Sequence, residues 1–150
     1  MYVSLEKKNG NIFSSMNGPE RSQRFTVDRS LATVVLTFFR FQNMFKIYHW
    51  QTPSYARHKA SDELVDSLSS LSDKFVEGLQ GATGKRVILG HPTSLALDDV
   101  DDQRAEALLQ EFKAWLQVLH RHVELDKGLT NIRDEIISVV DKALYLFTFN

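Results

Sequence analysis

The sequence has no cysteine. Disulfides, zinc–thiolate sites and thiol nucleophiles are therefore excluded. It also lacks a long apolar run: the longest, around Leu31 to Phe39, is bounded by Arg29 and Arg40 and is too short to span a bilayer. The first residues carry no apolar stretch of the signal-peptide kind. Neither charge sign dominates, and a formal net charge of −1 gives no whole-molecule attraction to nucleic acid or acidic membranes. There is no Gly-rich phosphate loop and no G-x-S-x-G elbow, so nucleotide and hydrolase readings have no support. These absences point to a cytoplasmic protein with no membrane partner, not a secreted one.

What is present is an apolar content of 43% over 150 residues, enough for one domain with a real core. Residues 1–29 contain Asn-Gly, Ser-Ser and Gly-Pro-Glu without periodicity and read as a mobile arm with a slight basic excess. Residues 30–150 read as four helices. In helix A, from Ser30 to about Trp50, the stripe is Leu31, Val34, Phe38, Phe41, Phe45 and Tyr48. Thr52 as N-cap and Pro53 in the first turn start helix B, which runs to about Gln80 with Leu64, Leu68, Leu71, Phe75 and Leu79 inward. A long connection over 82–98 holds a short extended piece, "RVIL". Helix C follows the Asp98/Asp99 region, with Leu108, Phe112, Trp115 and Leu119 inward, and fades by Asp126. Helix D starts near Thr130 and packs Ile132, Ile136, Val139, Val140, Ala143 and Phe147. Short A–B and C–D turns with one long B–C crossover predict an all-α, ferritin-like four-helix bundle.

The chemistry concentrates at "HWQTPSYARHKASDEL". With His58 at zero, Asp62 falls at about 40°, Asp73 at about 60° and Glu77 at about 100° around helix B, apart from its core side. Asp66 falls in the same arc. His58/Asp62 and Asp73/Glu77 are i,i+4 pairs that can each converge on one ion. The two pairs lie roughly 16 Å apart along the axis, whereas a metal–ligand bond is about 2 Å, so one ion cannot touch both. Two half-sites become whole if a second helix B packs antiparallel about a two-fold axis near Ser67 and Leu68. A homodimer at least, and a higher oligomer as an extension of it, is the expected state. His49 adds a nitrogen beside His58.

The order His49-Trp50, H-x3-D at His58/Asp62 and D-x3-E at Asp73/Glu77 resembles the ferroxidase signature of the Dps mini-ferritins. The likeness covers helices A and B and, more loosely, "DKALYLFTF". The whole chain is also similar to ferritin-like proteins of large DNA viruses of algae and protists, on "YHWQT.SYARH" and "NIRDEI"; that likeness carries no function. The Dps resemblance implies Fe²⁺ oxidation and iron storage at a di-iron site between two-fold related subunits. His49, His58, Asp62, Asp73 and Glu77 would be the metal ligands, with Trp50 beside the reaction; zinc or manganese are alternatives to iron. For Trp50, an amphipathic plug at a helix end is an equal reading. The His49–His58 interval is three residues shorter than in the Dps signature, which aims His49 differently. The arm's small basic excess gives weak support to DNA binding, which some members of that family show.

Ordinary ferritin-like di-iron sites use Glu-x-x-His inside one bundle. None occurs here, and helix A has no carboxylate between Arg29 and Trp50. His120 and His122 diverge by about 200° on a helix and do not chelate. His91 is a lone loop histidine, and Asp98, Asp99, Asp101 and Asp102 fit helix N-terminal charge. The competing class is a non-catalytic structural homo-oligomer, such as a viral assembly or virion component acting in the host cytoplasm.

Overall fold

The computed structural model describes residues 28–149. Among them are four α-helices, α1 (Arg29–Gln51), α2 (Tyr55–Thr83), α3 (Asp102–Gln117) and α4 (Lys127–Leu146), with a 3-10 turn at Leu119–Arg121 and no strand. No helix among the described residues is long and apolar enough to cross a membrane. Each helix starts where a side-chain oxygen can accept an otherwise orphaned backbone N–H: Asp28, Ser54, Asp101 and Asp126 are the N-caps. α2 stops at Gly84, whose φ of 67° closes the helix in the left-handed region.

α2 packs against α1 and α4, and α3 packs against α4 and α1, leaving α1/α4 and α2/α3 across the diagonals. The connection after α2 starts beside the beginning of α1, where Lys85 reaches Asp28. It ends beside the finish of α1, where Val100 N–H donates to Gln51 Oε1. It therefore runs the length of the bundle, about 34 Å for α1. α3 then descends parallel to α2, and α4 returns parallel to α1, bringing Phe147 against Tyr48. The order is up, down, down, up.

Every residue expected on the inner stripes of helices A and B is buried. The centre is aromatic, with Phe38 edge-on to Phe75, Phe112 and Trp115 at 5.5–6.2 Å between centroids.

The boundaries differ from expectation in three places. Thr52 caps the end of α1 instead of the start of α2, because Ser54 Oγ accepts from Arg57 N–H and Pro53 lies in the turn. Gly81 is inside α2, which continues to Thr83. α3 ends at Gln117 and α4 begins at Lys127, earlier than Thr130, because Asp126 accepts from Leu129 N–H. Arg29 opens α1 and Asp28 is its N-cap; the rest of the expected arm, and the DNA contact attached to it, lie outside the described residues.

Asp28 ties the start of α1 to the crossover. Its carboxylate accepts from Lys85 Nζ and from Ser30 and Leu31 N–H. The Lys85 hydrogen bond, followed by the Leu31 N–H, holds its pKa below the ordinary value. A lowered folded-state pKa means the carboxylate's contribution is complete above the unfolded value, near pH 4, and is lost as pH falls through the folded one. The melting temperature of Asp28→Asn should therefore lie below wild type at pH 6, with the gap narrowing as pH falls below about 4. A gap that persists at low pH would show that the charge is not involved.

Candidate metal centre

The α1–α2 turn is only three residues long, so the last turn of α1 and the first of α2 are held side by side. His49 is buried there, at 7% exposure. Its Nδ1 lies 3.0 Å from the carbonyl oxygen of His58, and His58 Nδ1 lies 2.9 Å from the carbonyl oxygen of His49. A carbonyl only accepts, so in both rings Nδ1 carries the proton and donates. Ser61 Oγ, 3.3 Å from His49 Nδ1, itself donates to the His58 carbonyl. The rings stack with centroids 4.0 Å apart.

With Nδ1 committed as the donor, Nε2 is the nitrogen of each ring that can bind a metal. A backbone carbonyl fixing the far nitrogen is the usual support of a metal-binding histidine. His49 Nε2 stands 3.6 Å from Asp62 Oδ1. That gap is long for a hydrogen bond. It matches the separation, roughly 3.5 Å, of two ligands each about 2.1 Å from one tetrahedral ion. Imidazole nitrogen with carboxylate oxygen is a donor set that takes Fe²⁺, Zn²⁺ or Mn²⁺.

The structure brings together only part of the expected set. Asp62 faces His49, and among the described residues no ion pair joins it to His58. The i,i+4 convergence of His58 and Asp62 does not form, because the His58 ring turns across the corner to bond His49. Lys46 Nζ is also 3.6 Å from Asp62 Oδ1 and sits 5.7 Å from the centre of the Trp50 ring. Trp50 is 70% exposed, so it plugs nothing within the chain. Asp73 and Glu77 lie farther along the same outer face of α2, exposed. Asp73 borders a groove of about 420 Å³ between α1 and α2, lined by Val35, Phe39 and Val76 among others. Among the described residues, no three acidic or histidine side chains gather closely enough to hold an ion within one chain.

A polar cluster behind the corner had no signal in the sequence. Tyr48, fully buried, donates its hydroxyl to Asp102 Oδ1 at 2.7 Å. Thr52 Oγ1 reaches the same oxygen at 3.3 Å. Arg57 bonds Glu106 at 2.7 Å and Tyr48 Oη at 3.4 Å, and lies over the Phe147 ring. Burial pushes the Tyr48 phenol above its usual pKa. Burial acts to lower that of Arg57, but its bonds to Tyr48 and Glu106 outweigh this and the net shift is upward. Tyr48 and Arg57 each precede one of the paired histidines, so the start of α3 braces the corner from behind. His122 stacks on Trp115, and His91 stays in the crossover, exposed.

Residues 49–147, well over half of the chain, match the family of unknown function DUF5856. The chain belongs to DUF5856. The match opens at His49 and contains all five expected ligands. The DUF5856 chain is also similar to an uncharacterised 14.6 kDa protein of the mobD–ri intergenic region of enterobacteria phage T4. The two are 26% identical over 107 residues, covering 71% of this chain and 79% of the phage protein. A phage relative agrees with the expected viral kinship. No solved structure matches.

Proposed function

We propose that this DUF5856 protein is a ferritin-like, Dps-type iron protein that oxidises Fe²⁺ at sites completed between two-fold related subunits. The observation that carries the reading is His49 Nε2, the nitrogen left for a ligand because Nδ1 donates to the His58 carbonyl, held one ligand spacing from Asp62 Oδ1. The up-down-down-up order with one full-length crossover is the connectivity of ferritin-like bundles. Asp73 and Glu77 have no ion pair or hydrogen bond among the described residues, whereas the exposed Glu63, Glu106, Glu111 and Asp141 are each matched by a lysine or arginine. Antiparallel apposition of two α2 helices brings those carboxylates to the His49/Asp62 corner of a second copy and completes the ligand set. Iron is the substrate. Carboxylate and imidazole donors favour Fe³⁺ over Fe²⁺ and so promote electron loss to oxygen or peroxide.

The alternative, a non-catalytic structural homo-oligomer of viral assembly, draws on Lys46 at Asp62 and on the phage relative. Metal separates the two. Apposed carboxylates repel without a cation, so Zn²⁺ or anaerobic Fe²⁺ at about 100 times its Kd should raise the melting temperature by roughly 5–10 °C at pH 7. Chelator should reverse the rise. If neither metal nor chelator moves the melting temperature or the mass in solution, the structural reading stands instead.

A further inference from the structure

Lys46 occupies an unusual place for a residue beside a metal centre. A protonated lysine has three donors and no lone pair, so it cannot be a ligand. Its ammonium instead approaches the same Asp62 oxygen that faces His49 Nε2, at an equal 3.6 Å. An ion held between Nε2 and Oδ1 would stand within about 6 Å of that ammonium, where like charges oppose each other. The Trp50 ring, one turn farther along α1, offers the ammonium a second resting place on its π face. That also accounts for a large aromatic side chain left 70% exposed at the end of α1. Among the described residues, Lys46 is the one lysine or arginine within 4 Å of Asp62, Asp66, Asp73 or Glu77 on α2.

We infer that Lys46 is a built-in counter-ion which sets the metal threshold of the site. It neutralises Asp62 in the metal-free protein and withdraws onto Trp50 when a divalent ion takes its place. The inference rests on the metal reading above and names the residue that tunes it. It makes Lys46 a positioning and selectivity residue and not a ligand, and it gives Trp50 a role through Lys46.

The test is calorimetric titration of Zn²⁺ into the full-length protein at pH 7 and fixed salt, with folding checked by circular dichroism. Lys46→Met keeps the length and removes the charge, and should bind Zn²⁺ about three- to tenfold more tightly. Lys46→Arg keeps the charge and should bind no more tightly than wild type. Trp50→Ala should weaken binding about twofold in the presence of Lys46 and have no effect in Lys46→Met. Equal Zn²⁺ affinity in wild type and Lys46→Met would overturn the inference and leave the metal site standing. Absence of binding in both, with Fe²⁺ as well as Zn²⁺, would remove the metal reading and this inference with it.

Discussion

Two variants that are each inactive should recover Fe²⁺ oxidation when unfolded together and refolded. The first carries His49→Ala and Asp62→Ala, the second Asp73→Ala and Glu77→Ala. Each homodimer lacks a complete site, whichever chain the ligands come from. If sites form across the two-fold axis, a mixed dimer pairs the two intact halves at one position and the two damaged halves at the other. Random re-assortment makes about half the dimers mixed, each with one working site of two, so activity should return to roughly a quarter of wild type. Sites built within one chain would recover nothing. The single-chain geometry already speaks against them, because Asp62 and Asp73 are about 16 Å apart on one rigid helix. Wild type taken through the same cycle supplies the reference rate. No recovery, with mixed dimers confirmed by mass, would rule out shared sites.

The helices were legible because burial repeats every three or four residues, and the stripes of α1 and α2 hold to the last member. The crossover was legible from connection length alone. What failed did so where one local rule competed with another. Thr52-Pro53 has the form of a helix start, yet Ser54 two positions on takes that role, and Thr52 turns to Asp102. The pairing of His58 with Asp62 followed from treating α2 as an isolated helix. The three-residue turn puts His49 within reach, and the exchange of two backbone carbonyls outweighs an exposed i,i+4 contact worth only a few tenths of a kcal/mol. Arg57, Asp102 and Glu106 could not have been joined beforehand, since the contacts span more than 40 positions and no local pattern marks them.

That bracing cluster yields the largest expected loss of stability from a single polar substitution. Arg57 has a side-chain exposure of 12%, while Arg104, in an ion pair of similar length with Glu111, has 39%. The two are a matched comparison of one interaction in two environments. Truncating Arg104 should cost under about 1 kcal/mol, because water already solvates both partners. Truncating Arg57 removes the bonds to Glu106 and Tyr48 and the contact over Phe147, and leaves Asp102 with no cation beside the buried Tyr48. Arg57→Ala should therefore cost about 2–4 kcal/mol, read as a lower urea midpoint with an unchanged slope. Arg57→Lys restores the charge but not the fork that reaches two acceptors, and should recover only part of the loss. Because Arg57 adjoins His58 and Tyr48 adjoins His49, Arg57→Ala should also weaken Zn²⁺ binding in conditions where the protein remains folded. A cost for Arg57→Ala no greater than that for Arg104→Ala would mean that the start of α3 does not brace the corner.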